Sequence, residues 1–341
     1  MSTRVSICLG WLLLFCSCLT LIGAPQPPQP PQSMIIGADI SSVQAAEARG
    51  VQYSDKGVRK DILTILRDHG FNYVRLRVFN DPTKATPRDR PYSLDGYCDL
   101  PHTIEMAKRV KAMGMGLLID FHYSDSWADP GKQFTPSAWA DLPFNDLVAK
   151  MHDWTKDAIT RMRNAGVQPD MVQVGNEITP GLMTDRGGSV RNWEQLGQLL
   201  KAGIAGVKEV DPKILVMLHI DKGGDNAATR RWVDAAVAQA VGFDILGESC
   251  YLRWQGPASG WKANFDDLAV RYPNLSFVIA EVGSEARDAA EIMKSIPDHR
   301  GLGTFVWEPT SNLNGQGLFD NTGAVIPEKM AIYDEIVQGL Q

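Results

Sequence analysis

The sequence predicts a single-domain α/β protein, a closed (β/α)8 TIM barrel, on two observations. Eight short apolar runs alternate with longer segments of helical periodicity. Each run also ends in polar residues, which a strand buried on both faces should not carry unless those residues line a cavity.

The runs are 34–41, 73–79, 116–123, 171–177, 214–221, 243–249, 276–282 and 303–309, rich in Val, Ile, Leu and Phe. Their unbroken apolar character suits parallel strands covered on both sides. Between them, Leu147, Val148, Met151, Trp154, Ala158, Ile159 and Met162 fall along one helical face, as do Trp193, Leu196, Leu200, Gly203, Ile204 and Val207. Gly70, Gly114 and Gly166 each stand just before a strand, where a helix stop is needed. An open doubly wound sheet would want a glycine-rich phosphate loop after its first strand, and Gly37-Ala38-Asp39-Ile40-Ser41 is not one.

The chain has 341 residues, 44% hydrophobic and 22% charged, with a formal net charge of −6. That balance repels a phosphate backbone, so nucleic acid is not an expected partner. Residues 1–24 read as a signal peptide: Arg4, an apolar run from Ile7 to Ile22, then the small pair Gly23-Ala24. The alternative is an uncleaved anchor, since the run approaches bilayer length. Either way the protein is expected to be secreted, periplasmic or at the cell surface. Residues 25–33, rich in Pro and Gln, form a stiff spacer, and 34–341 is the expected barrel domain. Only Cys98 and Cys250 follow the signal, too few for a disulfide framework.

The C-terminal ends of barrel strands build the active site. Those ends carry Asp39; Arg75 and Arg77; Asp120 and His122; Asn176 and Glu177; His219 and Asp221; Glu248, Ser249 and Tyr251; Glu281; and Trp307 and Glu308. Period-two alternation puts Gln173, Gly175 and Glu177 on one face of strand four, and Phe277, Ile279 and Glu281 on one face of strand seven; both sets are expected to point inward. Glycoside hydrolysis needs two carboxyl groups flanking the bond. Glu177 and Glu281 are the candidates, with Asn176 placed to bond a sugar hydroxyl and Tyr251 to orient Glu281. Arg75 or Arg77 beside Glu281 would favour its ionised form. The alternative for one of the arginines is a structural ion pair with Asp39 or Asp120. Glu248 reads as structural. Nine tryptophans suit stacking on sugars, and Trp127 and Trp307 are the candidate platforms.

These residues resemble glycoside hydrolase family 53, the arabinogalactan endo-β-1,4-galactanases, within the retaining glycosidases on β/α barrels. The matching stretches are GADIS (37–41), YVRLRVFNDP (73–82), LLIDFHYSDSWADPGKQ (117–133), VQVGNEITPGL (172–182), MLHIDKGG (217–224), VIAEVG (278–283) and VWEP (306–309). The resemblance implies Glu177 as acid/base, Glu281 as nucleophile, Trp307 beneath the sugar at the cleavage point, and His122, Trp127 and Asp129 in the groove. It implies a β-1,4-galactan or arabinogalactan substrate and neither a cofactor nor an obligate protein partner. No metal is expected, since the loop after strand seven lacks the insertion that carries calcium in some bacterial relatives. Three departures touch substrate loops. Ser249-Cys250-Tyr251 replaces a pair of adjacent tyrosines, Gly283-Ser284-Glu285 follows Glu281, and 311–314 lacks an expected tryptophan. Three other readings stand beside this one: the same chemistry on another β-linked glycan, a non-catalytic carbohydrate-binding barrel, and a metal-dependent barrel hydrolase using His122, His219, Asp120 and Asp221.

Overall fold

The computed structural model describes residues 31, 33–86, 96–310 and 316–340. The expected signal peptide, nearly all of the spacer and the 311–314 departure lie outside the described residues.

Eight parallel strands close a barrel: β1 (Ile35–Asp39), β2 (Tyr73–Val78), β3 (Gly116–Phe121), β4 (Met171–Val174), β5 (Leu215–Ile220), β6 (Ile245–Cys250), β7 (Ser276–Val282) and β8 (Gly301–Trp307). Closure is direct, because β1 pairs with β2 from Gly37↔Tyr73 and with β8 from Ile35↔Gly303. The principal outer helices are α2 (Ile62–Asp68), α3 (Leu100–Ala112), α4 (Phe144–Asn164), α5 (Trp193–Lys208), α6 (Asn226–Ala238), α8 (Ala258–Arg271), α9 (Ala286–Ser295) and α10 (Pro327–Gln338). A short α1 (Val43–Ala48) follows β1, and a single turn, α7 (Leu252–Gln255), follows β6. The helices begin where acidic or amide caps allow: Asp61, Asp99, Asn192 and Asp225 each accept a backbone N–H from the first turn. Gly70, Gly114 and Gly166 all lie at positive φ after α2, α3 and α4, as the stop signals required.

The strands separate two apolar layers. Outward residues such as Val74, Leu76, Ile119, Val172 and Leu218 pack beneath the helices. Inward residues Tyr73, Leu118, Met171, Met217, Val278 and Phe305 plug the barrel. The plug needs glycine beside its aromatic rings. A Cβ on Gly37 would stand 2.2 Å from the Phe305 ring, and one on Gly116 2.1 Å from Tyr73. Above this plug lies a polar layer, then the cavity.

Two alternation readings are corrected. Strand β4 stops at Val174, because Gly175 turns to φ +87. Glu177 therefore sits on the following loop, at φ +47, and not on the strand's inward face. On β7, Phe277 and Ile279 face the helices, where Phe277 meets Phe265 of α8. Glu281 nonetheless points inward, because the register with β6 slips between Glu248↔Ile279 and Ser249↔Glu281. The bulge reverses the pleat for the last residues.

Candidate active site

A cavity of about 490 Å3 opens at the C-terminal end of the barrel. Glu177 and Glu281 both line it, with Trp127, Asp129, Asp221, Tyr251 and Trp307 around them. Trp127 and Trp307 lie 5.3 Å apart between ring centroids at a 33° tilt, forming an aromatic wall. The volume is that of a small-molecule site.

The two carboxyl groups stand in different surroundings. Glu281 Oε1 accepts from Arg75 at 2.9 Å, and its Oε2 accepts from the Tyr251 hydroxyl at 3.0 Å. Among the described residues, Glu177 Oε1 accepts only from Ser249 Oγ, at 2.7 Å, and no cation pairs with it. Burial lifts the Glu177 pKa well above the ordinary range, and the Glu281 charge lifts it further. Burial lifts Glu281 too, but Arg75 and Tyr251 pull it back. Of the pair, Glu281 gives up its proton first. Burial and the two neighbouring carboxylates push the Tyr251 phenol far up, so it stays a donor.

Arg75 is fully buried and spends every N–H: Nε on Gln173, one terminal nitrogen on Asp39 and Glu281, the other on Asp120 and Asn176. It cannot touch a substrate. Its expected substrate contact is replaced by a structural one, with both of the partners the sequence suggested, Asp39 and Asp120. Burial weakens a guanidinium's charge, but three carboxylates outweigh it and raise the Arg75 pKa. Arg77 pairs with Glu308 behind the wall, 6.0 Å from the Trp127 ring.

Asn176 and His122 lie in the polar layer below the cavity and not on its wall. Asn176 Oδ1 accepts from Arg75, and its Nδ2 donates to Ala128 O at 2.9 Å. His122 Nδ1 accepts the Ala128 N–H at 2.9 Å, and its Nε2 stands 3.0 Å from Asp120. Burial lowers the imidazole's pKa, so it is neutral, with its proton toward Asp120. Its work is to hold the loop that carries Trp127 and Asp129. Both side chains are instead taken up by protein partners, Asn176 by Arg75 and Ala128 and His122 by the Ala128 N–H.

Cys98 and Cys250 are free and buried. Cys250 packs in the outer layer under the helices, so the replaced tyrosine takes nothing from the cavity wall. Four residues of that wall were not singled out from sequence: Pro130, Trp254, Gln255 and Gln316. Trp254 and Gln255 come from the single turn α7, and Pro130 and Gln316 from loops, segments too short or irregular for periodicity to point to them. An isolated tryptophan just after a strand end was the one available signal. Gln133 was also missed. Its Nε2 donates to Asn176 O at 2.7 Å and ties the Glu177 loop to the 124–133 loop.

The comparison that decides the family is a match of residues 35–290 to the description "Glycosyl hydrolase family 53". The chain belongs to glycosyl hydrolase family 53. It is similar to an "Uncharacterized protein in bgaB 5'region" of Niallia circulans, 36% identical over 82% of this chain and 84% of the relative. It is also similar to the "Arabinogalactan endo-beta-1,4-galactanase" of Humicola insolens, 32% identical over 84% of this chain and 93% of the relative. Among solved structures, the Ignisphaera aggregans GH53 catalytic domain superposes with a TM-score of 0.82. It is 32% identical, over 90% of this chain and 98% of that domain. The family membership and the closed barrel agree with the resemblance read from the sequence.

Proposed function

We propose that the chain hydrolyses β-1,4-galactosidic bonds of galactan or arabinogalactan with retention of configuration. The observation that carries this reading is the unequal pair on one cavity. Glu281, held by Arg75 and Tyr251, is the anion that attacks the anomeric carbon. Glu177, lifted by burial, keeps the proton that passes to the leaving oxygen as the C1–O bond breaks. In the second half, ionised Glu177 takes a proton from water as that water's oxygen displaces Glu281 from C1. The substrate class rests on the name of the Humicola insolens relative and on the aromatic wall of Trp127 and Trp307.

The metal-dependent alternative leans on His122 and His219. Both rings are already engaged by protein groups, His122 by Ala128 and Asp120, and His219 by Ser249 and Gln173. Product analysis on galactan, arabinogalactan, mannan and xylan tests the reading. β-Configured galacto-oligosaccharides are expected at first turnover, and α-configured products would overturn it. Glu177→Gln and Glu281→Gln are expected to fold and to lose at least a thousandfold in kcat, checked by reducing-sugar assay beside circular dichroism. We propose further that residues 1–24 direct export, on the strength of the apolar run 7–22. N-terminal sequencing of secreted protein should begin near residue 25.

A further inference from the structure

A line of buried side chains runs from the arginine that holds one carboxyl group to the far side of the other. Arg75 Nε donates to Gln173 Oε1 at 3.2 Å. Gln173 Nε2 stands 3.1 Å from His219 Nδ1. His219 Nε2 stands 3.0 Å from Ser249 Oγ, and Ser249 Oγ stands 2.7 Å from Glu177 Oε1. Arg75, Gln173, His219 and Ser249 are all wholly buried, and none of them lines the cavity.

The direction of these bonds is set by counting protons. Ser249 has one hydroxyl hydrogen and two neighbours that could take it. Were the His219 proton on Nδ1, its Nε2 would be an acceptor and would claim that hydrogen. Ser249 Oγ would then face Glu177 Oε1 with lone pair against lone pair whenever Glu177 is ionised. The acid/base role places Glu177 in that state once every turnover. With the proton on Nε2, His219 donates to Ser249, Ser249 donates to Glu177, and Nδ1 is left to accept from Gln173. Asn176 Oδ1, 3.0 Å from Nδ1, accepts from the Arg75 guanidinium at 2.8 Å, and the two hydrogens of Gln173 Nε2 serve Nδ1 and Gly175 O, each at 3.1 Å. Each link then points the same way, and aligned hydrogen bonds strengthen one another.

We infer that His219 and Ser249 are positioning residues that fix which oxygen of Glu177 carries its proton. Ser249 occupies Oε1 as a donor, so the acid's proton resides on Oε2, which no described group bonds and which belongs to the cavity wall. His219 commits Ser249 to that direction. Burial keeps the imidazole neutral, its pKa well below the ordinary value, so the arrangement does not titrate away in the working range. This inference deepens the acid/base reading of Glu177 and rests on it.

The first test needs no variant and no substrate. With 15N-histidine in the full-length protein, the ring shifts of His219, assigned by their loss in His219→Gln, should show an Nε2-protonated neutral ring unchanged from pH 5 to pH 8. An Nδ1-protonated ring, or one that titrates there, overturns the inference while leaving the galactanase reading intact. The second test is kinetic. Ser249→Ala should lose about tenfold or more in kcat on galactan, the size of one lost hydrogen bond to a charged group. It should lose less than about threefold in kcat/KM on a dinitrophenyl β-galactobioside, whose leaving group needs no proton in the first step. Ser249 favours the Glu177 anion, so the alkaline limb of kcat/KM should rise by about one pH unit in its absence. Ser249→Thr, which keeps the hydroxyl, should restore both. Equal losses on the two substrates, or an unmoved alkaline limb, would show that Ser249 serves packing alone. Loss of activity on every glycan in wild-type protein would instead count against the function proposed above.

Discussion

Glu248 offers a test of the fold's electrostatics that leaves the reacting groups alone. It lies on β6 but faces outward, wholly buried between the barrel and helices α6 and α8. Its Oε1 accepts from Thr229 at 2.6 Å and its Oε2 from Asn264 at 2.6 Å, with no cation among the described residues bonded to either oxygen. Burial raises its pKa from 4.5 to about 8, against the pull of those two bonds. Between these values the folded protein holds a proton that the unfolded chain releases. Stability is therefore full below about pH 4.5 and falls as pH rises toward 8. At pH 7 the gap spans about 2.5 pH units, or on the order of 3 kcal/mol at 1.36 kcal/mol per unit. Glu248→Gln abolishes the titration and keeps both contacts. The amide oxygen accepts from Asn264, and the amide N–H donates to Thr229, whose own hydroxyl turns to Lys222 O, 3.3 Å away. Urea unfolding at pH 5 and pH 8 measures the outcome. The variant should match wild type at pH 5 and exceed it by a few kcal/mol at pH 8. A variant equally destabilised at both values would refute the reasoning, since it would mean that the carboxyl group is favoured for its shape or its charge.

Other perturbations probe the site itself. Arg75→Lys keeps the charge but offers three donors to five acceptors, so at least two bonds are lost. Denaturant unfolding should register about 3–5 kcal/mol, and the acid limb of kcat/KM should move upward, because Glu281 loses support for its anion. Trp307→Ala should raise KM about tenfold or more, close to 1.4 kcal/mol of binding, with unchanged folding by circular dichroism. His122→Leu leaves the Ala128 N–H unpaired and removes the imidazole beside Asp120, which keeps its bond from Arg75. It should cost about 1–3 kcal/mol in thermal or urea unfolding and raise KM through a loosened Trp127 loop.

The barrel was legible because its strands are buried on both faces and so read as unbroken apolar runs, separated by helices with clear glycine stops. The same logic found Glu177 and Glu281 at strand ends. It did not find how they come to face each other. Strict alternation would have turned Glu281 with Phe277 and Ile279 toward the helices, and only the bulge opposite Ser249 brings it inward. Bulges arise from the pairing of two strands, and one strand's sequence carries no mark of them. Depth was equally hidden. Asn176 and His122 stand just past the ends of β4 and β3, yet below the cavity, because their side chains are claimed by Arg75 and Ala128, partners that come from other elements. Trp254 and Gln255 reach the wall from the single turn α7 and Gln316 from a loop, segments whose course no periodicity encodes.

The polar layer also explains why one carboxyl group keeps its proton. Two guanidinium groups, Arg75 and Arg77, face Asp39, Asp120, Glu281, Glu308 and, beyond them, Glu177. Two positive charges cannot neutralise five buried negative ones, and excess buried charge is relieved most readily by protonating the group with the weakest support. Asp39, Asp120 and Glu281 each contact Arg75, and Glu308 contacts Arg77. Glu177 contacts neither and has one neutral hydroxyl donor. The proposed acid is thus the carboxyl group that the arginine network excludes. Adding a cation beside Glu177 should therefore abolish it as an acid more surely than removing one from Glu281. A Ser249→Lys variant that still protonated a poor leaving group at neutral pH would contradict this account.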